Sequence, residues 1–172
     1  MSLSQISTFK KENTYFPLRD GLVYTYKKGN LSIKRSIKLL SGGESLIDTN
    51  LYLYRTDYID KDSLLETYSD TLFNSGNKVY KYSKVGHHQI YAPYPSIKVG
   101  ETYITERGAY RVISKLDSIK IKNKYYFNVI VCEPTKPSEF YVKVFFAKNI
   151  GLIRASFEIQ EDELLIEINE MK

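Results

Sequence analysis

The amino-acid sequence predicts an all-β domain, β-rich with at most one or two short helices, arranged as an antiparallel meander. Apolar and polar residues alternate with a period of two in segment after segment, and about a dozen such segments follow one another with glycine-containing or polar turns between them. Composition points the same way. Tyrosine occurs 16 times among 172 residues and tryptophan not at all, and tyrosine with β-branched residues suits a pleated surface that is apolar at its base and hydrogen-bonding at its rim. A chain of this length forms one domain and on folding removes roughly 70% of its accessible surface from water. Residues 14–172 are read as that domain, and residues 1–13 as a polar tether or a start supplied by an expression vector.

Taken in order, the first strand candidate covers 21–28, within "YFPLRDGLVYTYK". Pro17 holds the incoming chain extended, Gly21 turns it, and the residues beyond, Tyr24 among them, enter the strand. The second, 31–40, has the cleanest pattern: Leu31, Ile33, Ile37 and Leu39 face one way, and Ser32, Lys34, Ser36 and Lys38 the other. Arg35 interrupts its apolar face, and a sheet edge, a carboxylate partner or solvent would each accommodate it. The third, 50–58, contains the tyrosines of "LYLYR". The fourth, 64–73, is ambiguous. "KDSLLETYSDTLF" places Leu64, Leu65, Tyr68 and Leu72 on one side of a short helix capped by Asp62 or Ser63, whereas Leu64, Glu66, Tyr68 and Asp70 fit one face of a strand; the strand is preferred.

The fifth candidate, 77–83, alternates aromatic and basic residues as "KVYKYSK", and the sixth covers 87–92. "YAPYPSIKVG" follows, where Pro93 and Pro95 interrupt any ladder and Gly100 permits a turn. Segments 101–106, 109–121, 124–133, 139–147, 151–159 and 163–169 complete the set. In 139–147, the tenth of the twelve candidates, Tyr141, Lys143 and Phe145 alternate with Val142, Val144 and Phe146 as in an ordinary central strand. Turn chemistry supports hairpins: Gly29-Asn30 and Gly76-Asn77 tolerate positive φ, Lys122-Asn123 does so less comfortably, and "SGGES", Ser41 to Ser45, suits a hairpin better than a phosphate loop.

The entry at Tyr15–Lys27 has a counterpart in "YPSIKVGETYIT", where Pro95, Gly100 and Tyr103 repeat the roles of Pro17, Gly21 and Tyr24 with a spacer that differs by one residue. A repeated way of launching a strand accounts for both. "YFPLRDGLVYTYK", the midway "YPSIKVGETY" and the late "YVKVFFAKNIGLIRASF" with its Gly151 together resemble a broad group of uncharacterised bacterial exported or lipoprotein-type β domains. The similarity runs from Tyr15 to about Glu167. It departs where that group carries tryptophan and this chain tyrosine, and at the asparagine-isoleucine before Gly151. The resemblance implies a sheet curved into a half-barrel on the outer side of a membrane, with no catalytic residues to carry over.

Little in the chain points to a specific chemistry. The net charge of +5 comes from 25 basic and 20 acidic residues spread along the whole chain, unlike the clustered stripe of a nucleic-acid platform. Mild attraction to an anionic membrane or cell wall is compatible with it. Cys132 is the single cysteine, so no internal disulfide or multi-cysteine zinc site can form, and the apolar run around it suggests a buried small hydrophobe. The adjacent His87 and His88 point to opposite faces if they lie on a strand, which argues against a shared metal. Asp57, Asp60 and Asp62, and Glu161, Asp162 and Glu163, are read as solvated turn acids. "DYIDKDS" lacks the glycine and glutamate of a calcium loop.

No catalytic residue, metal ligand or cofactor is therefore expected. Tyr52, Tyr54, Tyr80 and Tyr82 are the candidate ligand-binding residues, as a stacking surface, against the plainer reading of a cross-strand tyrosine ladder. Pro17, Gly21, Tyr24, Pro95, Gly100, Tyr103 and Gly151 are expected to serve structure. "MSLSQISTFKKEN" has no apolar signal segment, so an extracytoplasmic location would require a signal or lipid anchor absent from this chain. The expected function is a non-enzymatic, extracytoplasmic domain binding a hydrophobic or amphipathic small molecule or an envelope component. A structural domain docking a protein partner through a sheet face or edge comes second, and a hydrolase last.

Overall fold

A computed structural model describes residues 14–40, 49–136 and 142–171. Twelve strands run through them, with no helix: β1 (Leu22–Lys28), β2 (Leu31–Leu40), β3 (Leu51–Asp60), β4 (Ser63–Ser75), β5 (Lys78–Lys81), β6 (Gln89–Ile90), β7 (Thr102–Thr105), β8 (Gly108–Ile121), β9 (Lys124–Pro134), β10 (Lys143–Ala147), β11 (Gly151–Ser156) and β12 (Glu163–Glu170). Each predicted segment corresponds to one strand. Tyr141 and the "SGGES" turn lie outside the described residues.

Every pairing is antiparallel, in the order β6-β5-β4-β3-β2-β1-β12-β11-β10-β9-β8-β7. The first and last strands pair with each other, so the meander curls into a nearly closed barrel. One seam stays open, between β6 and β7, which approach each other without sharing a ladder. The prolines explain its place. Pro93 and Pro95 follow the two-residue β6 after only Tyr91 and Ala92, and neither proline can donate a ladder hydrogen bond.

The ambiguous fourth segment is strand throughout. It pairs with β3 from Tyr52↔Leu72 to Asp60↔Ser63, and those cross-strand partners outweigh any local helical tendency. Lys61 and Asp62 close the hairpin with φ of 45° and 69°, a two-residue turn with both central residues left-handed. In the β8–β9 turn the positive φ falls on Lys122, at 52°, the first of its two turn residues.

Because successive strands alternate in direction, the chain entry (14–21), the turn at 76–77, the segment 91–101 and the turns at 122–123 and 148–150 share one end of the barrel. That end is filled. Tyr15, Phe16 and Leu18 from the entry, and Ala92 and Ile97 from the middle segment, are buried in the core cluster. The motif residues account for this packing. Gly21, at φ 80°, donates its N–H to Ile37 O at 3.0 Å and accepts from Met171 N at 2.8 Å. A Cβ there would stand 2.4 Å from Met171 O, closer than side chains tolerate. Around Gly151 an added Cβ would meet Pro17 Cδ at 3.8 Å and the Tyr24 hydroxyl at 3.9 Å, so the opening and late motifs pack on each other. Gly100, at φ 90°, donates to Val112 O at 2.8 Å and sets β7 beside β8.

Candidate functional site: the open half of the barrel interior

The opposite end of the barrel carries the turns at 29–30, 61–62 and 106–107 and the longer connections at 82–88 and 157–162. Beneath it lies a cavity of about 130 Å³, floored by Phe16, Tyr54 and Tyr91. Phe16 meets both tyrosines edge to face at 5.2 Å, and the two tyrosines meet each other at 5.8 Å. The floor is therefore a locked aromatic trio. Val144, Phe146, Leu152 and Ala155 give one apolar wall, and Tyr68, Glu106 and Arg107, all exposed, form the rim.

Arg35 of β2 and Glu163 of β12 meet over the intervening β1 as a buried ion pair on the inner wall. The local reasons are plain: Arg35 shares the inward face of β2 with Ile33 and Ile37, and Glu163 shares that of β12 with Leu165. The guanidinium also sits over the Tyr26 ring, 4.5 Å from its centroid, and the Tyr26 hydroxyl donates to Leu152 O at 2.9 Å. Burial works against the charge on Arg35, but Glu163 and the surrounding Tyr54, Tyr26 and Tyr58 more than offset it and hold the guanidinium ionised. Arg35 Nη1 and Glu163 Oε1 are in direct contact, and both atoms are closed to solvent.

A second charge cluster spans the seam. Lys81 of β5 reaches Asp70 of β4 at 2.7 Å and Glu106, beyond the seam in the β7–β8 turn, at 2.5 Å. Tyr91 donates to Asp70 Oδ2 at 3.2 Å. Desolvation leads the effects on Lys81 and lowers its pKa, yet the hydrogen bonds to Asp70 and Glu106 prevail and raise it. The interior tyrosines stay protonated well into the alkaline range: burial pushes Tyr54 up to about 12 and Tyr26, Tyr91 and Tyr103 well above their usual value. They act as neutral hydroxyls.

The four candidate tyrosines separate. Tyr54 lines the cavity, and Tyr52 shares its inward face nearer the filled end, half-buried against the core. Tyr80 and Tyr82 lie on the outer face, because their neighbour Lys81 points inward. There Tyr80 stacks on Phe73 at 5.4 Å, Tyr82 stacks on His88 at 5.4 Å, and His88 meets Phe73 edge-on at 5.0 Å. Tyr103, read as structural, is both: it stacks on Tyr110 at 5.8 Å and lines the cavity.

Glu163 corrects the sequence reading. Its side chain is an interior partner and no solvated turn acid, while Asp162 beside it pairs outward with Arg154 at 2.5 Å. The usable signal was its two-residue spacing from Leu165, together with an arginine on an apolar face that needed a carboxylate. Asp57 likewise lies within β3, where burial raises its pKa but bonds from Arg55 and Thr67 lower it further, leaving a net depression.

Cys132 is fully buried, and the Tyr103 hydroxyl donates to its sulfur. Burial pushes the thiol up to about 12, against the lowering effect of that bond. The sheet separates it from His88 on the outer face. No group of three or more metal-binding side chains occurs among the described residues. No family model matches the chain, and neither a curated protein nor a solved structure shows significant similarity to it.

Proposed function

We propose that this protein is a non-enzymatic binding domain that holds a small amphipathic molecule inside its barrel, and that it works on the outer side of a membrane. One observation carries the binding reading: the interior is filled at one end and hollow at the other, with an aromatic floor and polar walls around a cavity of about 130 Å³. Binding pockets typically combine an apolar lining with a few convergent polar groups. The location rests on the resemblance carried by the opening and Gly151 motifs, whose residues pack on one another.

The test is a thermal-shift screen of small amphipathic compounds against the protein and a Thr56→Leu variant. Thr56 lines the cavity without joining either ion cluster. A ligand that raises Tm for the native chain and not for the variant supports the reading; absence of any cavity-dependent ligand overturns it. Detection of the native protein only in the cytosolic fraction of fractionated cells would overturn the location.

A second reading is docking of a protein partner at the seam. It is favoured by the unpaired ladder edges of β6 and β7 and by Ile104 of β7, 66% exposed. A pull-down that loses its partner on Ile104→Lys would support it over the cavity.

A further inference from the structure

The charges that line the cavity narrow what it can hold. Arg35, Lys81 and Arg107 stand against Asp70, Glu106 and Glu163, so the lining is formally neutral. It is also compensated locally: Glu163 has Arg35, and Asp70 and Glu106 share Lys81. A ligand with net charge would have to break one of these pairs or enter without a counterion, and either is expensive in a site of low dielectric. A zwitterion meets the same difficulty at both of its ends.

A purely apolar ligand fails for the opposite reason. It would strip water from the polar side chains that line the cavity, Arg35, Thr56, Asp70, Lys81 and Glu163 among them, and offer them no hydrogen bond in return. A hydroxyl suits both members of such a pair, since it accepts from a cation and donates to a carboxylate without disturbing their attraction. Two such clusters line the cavity, Arg35–Glu163 and Asp70–Lys81–Glu106, so more than one hydroxyl is needed. The floor of Phe16, Tyr54 and Tyr91 offers an apolar surface for the carbon face of such a molecule.

Size sets the last limit. A cavity of about 130 Å³ is close to the roughly 150 Å³ of an engineered cavity that admits benzene. It therefore takes a single six-membered ring, with substituents reaching toward the rim. Resting on the binding function proposed above, we infer that the barrel binds a neutral polyhydroxylated ring, a monosaccharide unit, with its carbon face on the aromatic floor and its hydroxyls on the Arg35–Glu163 pair.

The test follows amide shifts of the isotope-labelled protein titrated with methyl β-glucoside, methyl β-galactoside and N-acetylglucosamine. Hexanoate, p-cresol and phenylalanine serve as anionic, apolar-ring and zwitterionic comparators. At least one sugar is expected to give saturable shifts around Tyr54, Thr56 and Tyr91, and Thr56→Leu to weaken it by about tenfold or more. Tighter binding of the corresponding trisaccharide would identify the end of a glycan as the source, and equal binding a free monosaccharide. Cavity binding of a comparator with no sugar binding overturns this inference and leaves the binding function standing. Binding of no probe to the folded protein overturns both, and sugar binding indifferent to Thr56→Leu overturns the assignment to the cavity.

Discussion

Replacing Glu163 by leucine removes one member of a pair whose side chains are only 9% (Arg35) and 4% (Glu163) exposed. What remains is a guanidinium held almost wholly out of water, with only the narrow cavity beside it. Breaking such a pair from one side typically costs about 3–5 kcal/mol, because the surviving charge keeps its desolvation penalty and loses its compensation. With total stabilities of about 5–15 kcal/mol for domains of this kind, that is a large fraction of what holds the fold. In urea, at an m-value of about 2 kcal/mol/M, the midpoint should fall by about 1.5–2.5 M. The double variant Arg35→Met with Glu163→Leu removes the charge as well, and should recover most of the loss while abolishing the sugar binding inferred above. That pattern separates a functional ion pair from a structural one. A single-variant cost below about 1 kcal/mol, or a double variant as unstable as the sum of the two singles, would refute the reasoning.

Gly21→Ala should destabilise clearly more than Gly76→Ala. Both positions have left-handed φ, 80° and 61°, worth about 1–2 kcal/mol, but only Gly21 would also drive a Cβ to 2.4 Å from a backbone oxygen; thermal melts of the two variants check the order. Cys132 should resist thiol reagents at mildly alkaline pH and react only once denaturant exposes it, because burial has pushed its pKa to about 12; rapid labelling of the folded protein would contradict its placement. Lys81→Met should loosen the seam, read as faster hydrogen exchange of the β7 amides with little change in those of β1 and β12, since Lys81 ties Asp70 to Glu106. Alkaline pH should unfold the protein in a definite window. Tyr54 ionises at 10.0 when unfolded and at about 12 when folded, so the unfolded state binds fewer protons above pH 10. Stability is then full below that pH and lost progressively up to about 12, by about 2–3 kcal/mol for Tyr54 alone. Tyrosinate absorbance and circular dichroism should change together, and early titration of the buried tyrosines in the folded protein would refute it.

Much of the fold was legible because a pleated strand advertises itself locally. The alternation in "LSIKRSIKLL" gives the inward face of β2 with no knowledge of its neighbours. The β4 segment was harder, since its leucines fit two periods, and only the nine-residue register with β3 decides between them. The site was less legible. Arg35 could be seen to need something, but Glu163 lies 128 residues away in sequence (163 − 35), and ring closure through β1 and β12 is what brings the two together. For Tyr80 and Tyr82, tyrosine content was a poor guide to face. The parity that places them outside is anchored by Lys81, whose inward direction depends on Asp70 and Glu106.

The hollow itself follows from strand number and from how the chain spends its non-strand residues. Eight strands close around an interior that side chains just fill, and diameter grows with each strand added. Twelve strands, even with one seam open, enclose more space than their inward side chains can occupy. The two proline-glycine entries meet that excess at one end only, where Phe16 and Leu18 from the first and Ala92 and Ile97 from the second complete the core. At the other end, among the described residues, the connections are hairpin turns and loops that the core cluster does not recruit, apart from Phe157 at its margin. The repeated pattern seen in the sequence as a way of launching a strand is thus also what stops the core halfway, and the remaining half, walled by Arg35, Glu163 and the tyrosines, is the space the proposed ligand would occupy.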